Sequence, residues 1–190
     1  MKTRTNLSRT LGLTLATALI LALATLFSGC SANSPAAQVN KDLKEIQNSK
    51  ISSTVLNFDD ADFSDETKAG YEEFLARLSD FDFEIQNEEI SEDGKTATVT
   101  VLISTYDFGT AFLDVWDEVA TSNTKPGVDD FYKLLFDKVK TLEDKYRIVA
   151  VTFNCTKTDG GWTTDAKTNG DFRSAMFGGM IEIVKELAGQ

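Results

Sequence analysis

The chain has 190 residues, with 30 acidic side chains against 19 basic ones, a formal net charge of -11 and no histidine. So acidic a surface repels phosphate backbones, which argues against nucleic acid as a partner, and it repels anionic headgroups as well. Histidine is the commonest metal ligand and the commonest acid or base near neutral pH, so its absence removes the usual serine and cysteine triads and most zinc sites.

In chain order the first signals are Lys2, Arg4 and Arg9, then an apolar run from Leu11 to Phe27, then Ser28, Gly29 and Cys30. The run lies at the lower edge of the roughly 17 to 25 apolar residues that span a bilayer. A basic opening, a short apolar stretch and small residues before a cysteine resemble a bacterial lipoprotein signal peptide. The resemblance implies cleavage between Gly29 and Cys30, with Cys30 as the mature first residue carrying lipid. The membrane, reached through that lipid from the extracytoplasmic side, is then the expected partner. Residues 1–29 are the leader, 30–35 the lipidated cysteine and a short tether, and 36–190 a single domain. The leader holds three cations and no acid, so its removal takes the charge to -14 and leaves 161 residues, enough for one core. Cys155 is the only other cysteine, so with Cys30 committed to lipid no intramolecular disulfide is expected. It falls in an apolar strand pattern and reads as a small buried hydrophobe.

Ala36, Val39, Leu43 and Ile46 recur at three and four, which predicts a first helix starting almost at Cys30. Ile51 to Phe58 is ambiguous. Ser64 followed by Asp65 and Glu66 reads as an N-cap with acids in the first turn of a helix burying Tyr71, Phe74, Leu75 and Leu78. From Phe81 the period becomes two, and Asp93-Gly94 turns the chain into a β-branched run, so Phe81 to Thr105 is a hairpin. Asp107 caps a helix with Phe108, Ala111, Phe112, Val115, Trp116 and Val119 on one stripe and Asp114, Asp117 and Glu118 on the wet side. Pro126-Gly127 breaks the chain before a helix carrying Phe131, Leu134, Leu135, Val139 and Leu142. Tyr146 to Asp165 is a second hairpin, turned by Asp159-Gly160-Gly161. One closing amphipathic helix is expected from Phe172 to Leu187.

This order predicts an α+β domain, a curved antiparallel sheet with helices packed on one face. The stretch DGKTATVTVLISTYDFGTAF, the helical pair after it, and the long strand with TDGGWTTD before a last helix resemble small bacterial lipoproteins whose domain is similar to nuclear transport factor 2. The resemblance spans about Pro35 to Leu187 and implies a cone-shaped, cystatin-like fold. It carries no catalytic signature.

Among candidate sites, Asp60, Asp62 and Ser64 occupy the first, third and fifth places of a calcium-loop pattern. Asp65 stands where the turn needs glycine and Tyr71 where a glutamate belongs, so the reading is a solvated loop and helix cap, with no metal and no cofactor. Tyr106 and Asp107 are the one pair considered for carboxylate chemistry, Asp107 being better explained as a cap. Tyr106, Trp116 and Trp162, with Phe108, Phe112 and Phe153, are candidates to line a pocket, and equally to fill a core. The expected function is a membrane-anchored, non-enzymatic domain for a ligand or envelope partner that the sequence does not identify. The alternatives are a histidine-free isomerase or dehydratase in the same fold, favoured by a buried unpaired carboxylate in a cavity, and a dimerising module, favoured by an apolar patch on the open sheet face.

Overall fold

The computed structural model describes residues 33–49, 63–123 and 126–189. Gly29, Cys30, the run from Leu11 to Phe27, the ambiguous Ile51 to Phe58 and the calcium-pattern residues Asp60 and Asp62 lie outside these. Among the described residues are six helices and a four-stranded antiparallel sheet of order β1-β2-β3-β4.

Helix α1 (Pro35–Asn48) starts where the Ser34 hydroxyl accepts from the Ala37 amide at 3.1 Å, with proline in the first turn, whose amides need no helical partner. Helix α2 (Asp65–Ser79) is capped in the same way by Ser64. Strands β1 (Asp82–Ile90) and β2 (Thr96–Thr105) form the first hairpin, with a register shift between Ile85 and Asn87 that bends β1. Helix α3 (Phe108–Thr121) and helix α4 (Val128–Lys140) connect β2 to β3 (Arg147–Thr158), which turns into β4 (Gly161–Thr164).

The chain ends in two helices rather than one. Helix α5 (Gly170–Met176) and helix α6 (Met180–Leu187) are separated at Gly178 and Gly179, which have φ of 53° and 85°. The periodicity from Phe172 to Leu187 is helical throughout, but the left-handed backbone at two successive glycines redirects the chain. The expectation of one closing helix is corrected accordingly.

Side chains divide into two cores. In the first, alternate residues Ala97, Val99, Val101 and Ile103 of β2 and Val151, Phe153 and Cys155 of β3 meet Val39 and Leu43 of α1 and Phe172 of α5. Here helices cover one face of the sheet, as the alternation predicts. In the second, Tyr71, Phe74, Leu135, Phe136 and Phe108 pack α2, α3 and α4 against one another, joined by Phe177. Phe74 meets Phe108, Phe136 and Phe177 at centroid distances of 5.4 to 6.3 Å. The four helices α2, α3, α4 and α6 thus form a body of their own at one end of the sheet, because their aromatic stripes bury each other rather than the sheet face.

Candidate functional site

Tyr106 immediately follows β2 and is buried, and its hydroxyl donates to Asp80 Oδ2 at 2.7 Å. Lys145 donates to the other Asp80 oxygen at 2.5 Å and lies 3.4 Å from Asp82. Arg77 stands 4.9 Å above the Tyr106 ring while its guanidinium donates to the carbonyls of Leu142 and Lys140. Burial pushes the Asp80 carboxyl up, but the hydrogen bonds from Lys145 and Tyr106 outweigh it and hold it below the usual carboxylate range. The hydrogen bond to Asp80, with burial, raises the Tyr106 phenol. Burial opposes the charge on Lys145, yet Asp80 and Asp82 raise its ammonium above the ordinary value. Each group is therefore held more firmly in its resting state, the reverse of an acid or base poised for transfer. Asp107 points elsewhere: it accepts from the Thr110 amide at 3.0 Å and the Thr110 hydroxyl at 2.8 Å, capping α3.

The three aromatic pocket candidates lie apart. Trp116 is 43% exposed on α3, stacked on Phe112 and edge-on to Phe131. Trp162 is buried in the sheet core with the Lys157 ammonium 5.7 Å from its ring centre. Tyr106 belongs to the helical core. Their sequence spacing carries no information on which core each joins, and the structure does not bring them to one cavity. The buried Cys155 thiol is pushed up to about 11, chiefly by burial, which leaves it protonated and inert. Among the described residues no group of three or more acidic or cysteine side chains is arranged to hold a metal ion.

The geometry most suited to a ligand lies where β3 begins. Among the described residues, two buried side-chain polar atoms have no hydrogen-bond partner, Arg147 Nε and Thr105 Oγ1. They belong to one cross-strand pair of the β2–β3 ladder. Arg147 is in phase with Val149, Val151 and Phe153, so the alternation that buries those residues carries a guanidinium onto the covered face of the sheet. Gly179 lies flat against it: a Cβ there would sit 2.6 Å from Arg147 Cζ. A concavity of about 280 Å³ opens over this arginine, lined by Val149, Ala175, Ser174, Asp171 and Glu182. The Ser174 hydroxyl donates to Glu182. Arg147 enters no ion pair among the described residues. By contrast, the roomier groove of about 370 Å³ between α1 and α5 has the ion pair of Lys167 and Glu45, 2.8 Å apart, on its wall. Sequence reading passed over Arg147, although a charged residue in phase with an apolar strand face was the available signal.

The chain was compared with protein families, curated proteins and solved structures, and none matches it.

Proposed function

We propose that this chain is a lipid-anchored extracytoplasmic domain that binds a small ligand without turning it over, built as a cone of the nuclear transport factor 2 type. The bend in β1 and the two helices on one sheet face support the cone. The leader pattern ending in Cys30 supports the anchor, and the first helix cap, Ser34, follows four residues later. The locked charges around Asp80 support a role without catalysis.

The observation that carries binding is the concavity over Arg147, whose buried Nε has no partner among the described residues and whose cross-strand neighbour Thr105 has an unpaired hydroxyl. A buried donor or acceptor left unpaired costs about 1 to 3 kcal/mol. Nothing among the described residues claims this guanidinium, and its remaining nitrogens are open to a group entering the concavity. A guanidinium fork matches a carboxylate, while Asp171 and Glu182 accept from ammonium or hydroxyl groups. The ligand class is thus a small carboxylate that also carries donors, such as an amino acid or a sugar acid. The concavity is near the lower end of the roughly 300 to 1,000 Å³ of small-molecule sites, sized for one such molecule.

Saturation-transfer NMR on the acylated chain in detergent micelles, against a panel of amino acids and sugar acids, tests this. Signal from at least one panel member should vanish in Arg147→Gln while circular dichroism stays unchanged. Equal signal in both proteins, or none from the wild type across the panel, overturns the binding site. Mass measurement of the mature N-terminus tests the anchor separately.

A further inference from the structure

We infer that the domain stands on the bilayer with its two hairpin turns, residues 91–95 and 158–161, toward the lipid and the Arg147 end of the sheet away from it. This rests on the proposal that Cys30 is lipidated, joined to where the folded domain begins.

From Cys30 to Ser34 there are four residue steps, which reach about 14 Å at most when fully extended. Ser34 is itself fixed: it is buried and caps α1. Two further contacts place this start at the turn end of the sheet. The Ala36 amide donates to Glu88 Oε2 at 2.7 Å, two residues before β1 ends. Asn33 Oδ1 lies against Gly161, the first residue of β4. Helix α1 then runs back along the sheet, and the Gln47 side chain near its far end donates to the Phe81 carbonyl beside the start of β1. Arg147 pairs with Thr105 at that far end, whereas Thr158 pairs with Gly161 at the turn end.

The distances decide the orientation. Eleven residue steps of β3 separate Arg147 from Thr158, about 36 Å at ~3.3 Å per residue. A tether of about 14 Å is too short to let the domain turn over and bring the far end to the lipid while Ser34 stays in reach. Nor should it lie flat on an anionic bilayer. The mature chain carries -14; strand β1 presents Glu84 and Glu89 with no basic residue of its own, whereas at the turns Lys95 and Lys157 offset part of Glu92, Asp93 and Asp159, so the flank is repelled more than the turn end. The consequence is functional: the concavity at Arg147 faces the aqueous space, and a polar ligand reaches it without crossing the headgroup layer.

The test is energy transfer from donors on the acylated full chain to a headgroup-labelled acceptor lipid, in vesicles of phosphatidylcholine with one-fifth phosphatidylglycerol. Single thiols come from Glu92→Cys and Asp159→Cys at the turns, and from Asp144→Cys and Tyr146→Cys at the far end; all four positions are exposed, and the native Cys155 is buried. Transfer from the two turn positions should exceed that from the two far positions at least twofold. Equal transfer from all four, or the reverse order, with Cys30 acylated by mass, overturns the orientation and leaves the anchor standing. An unacylated Cys30 overturns the anchor and the orientation together.

Discussion

Gly178 lies so close to Tyr106 that a Cβ built on it would sit 2.1 Å from the Tyr106 carbonyl oxygen. Its own carbonyl accepts from the Gly109 amide at 3.0 Å, so the break between α5 and α6 is clamped to the junction of β2 and α3. Through this contact the C-terminal helices, the end of the sheet and the second core share one backbone point.

Substitution of Gly178 by alanine should therefore be severe. A side chain at φ of 53° costs about 1 to 2 kcal/mol by itself, and the obstructing atom is backbone, which cannot swing aside. Gly178→Ala should lower stability by about 3 kcal/mol or more in urea unfolding. Gly94→Ala is the control, since Gly94 has a similar φ of 67° with nothing within 4 Å, and it should show the conformational cost alone. Equal losses in the two variants would show that the clash relaxes.

The Asp80 network should be stable over a wide pH window. Asp80 has its folded pKa held below the ordinary value, so its contribution is present above about pH 4 and is lost as pH falls through the lower folded value. Tyr106 and Lys145 have folded pKa values raised, so their contributions are present below about pH 10 and are lost as pH rises through the higher folded values. Tyr106→Phe removes the hydroxyl that donates to Asp80 and should cost about 1.5 kcal/mol, lowering Tm by about 3 to 6 °C between pH 5 and 9. The difference should shrink as pH falls through the lowered folded pKa of Asp80 and the carboxylate takes up its proton. A difference that stays constant down to the pH at which acid itself unfolds the protein would mean that Asp80 is not the partner that matters.

What could be read from the sequence was local. Ser64 and Asp107 cap helices through their own side chains within three residues, and Asp93-Gly94 and Asp159-Gly160-Gly161 turn hairpins over short spans, so cap, turn and period sufficed. What was not legible depends on distant partners. The carboxylate that meets Tyr106 is Asp80, 26 positions earlier, while the neighbouring Asp107 is occupied by its own helix. The break at Gly178 looks like continuous helix until Tyr106 is seen against it. The division into two cores was hidden for the same reason, since an aromatic stripe does not announce whether it will meet a sheet or another stripe.

Cys155 should be chemically silent in the folded protein. Burial raises its thiol to about 11, so little thiolate exists at pH 8 and reagents have no access. With Cys30 acylated, Ellman's reagent should titrate less than one-tenth of a thiol per chain in buffer and one full thiol in 6 M guanidinium. Rapid reaction in buffer would show that the strand core around Phe153 opens readily.

Thr105 offers the sharpest division between a structural and a binding role for the Arg147 end. Its hydroxyl is fully buried and unpaired, so as a packing element it is inferior to an isosteric methyl group. Thr105→Val should therefore stabilise the unliganded protein by about 1 kcal/mol, because it removes an unsatisfied acceptor and keeps the shape. Acting through its cross-strand partner Arg147, the same variant should weaken any carboxylate that binds at the concavity at least threefold, and Arg147→Gln at least tenfold, by titration calorimetry on the acylated chain in micelles. Gain in stability together with loss of affinity is the pattern expected of a polar pair kept for a ligand. Thr105→Val that is destabilising instead would mean that the hydroxyl already has a partner in solution, and the pair would then be a structural feature of the sheet end.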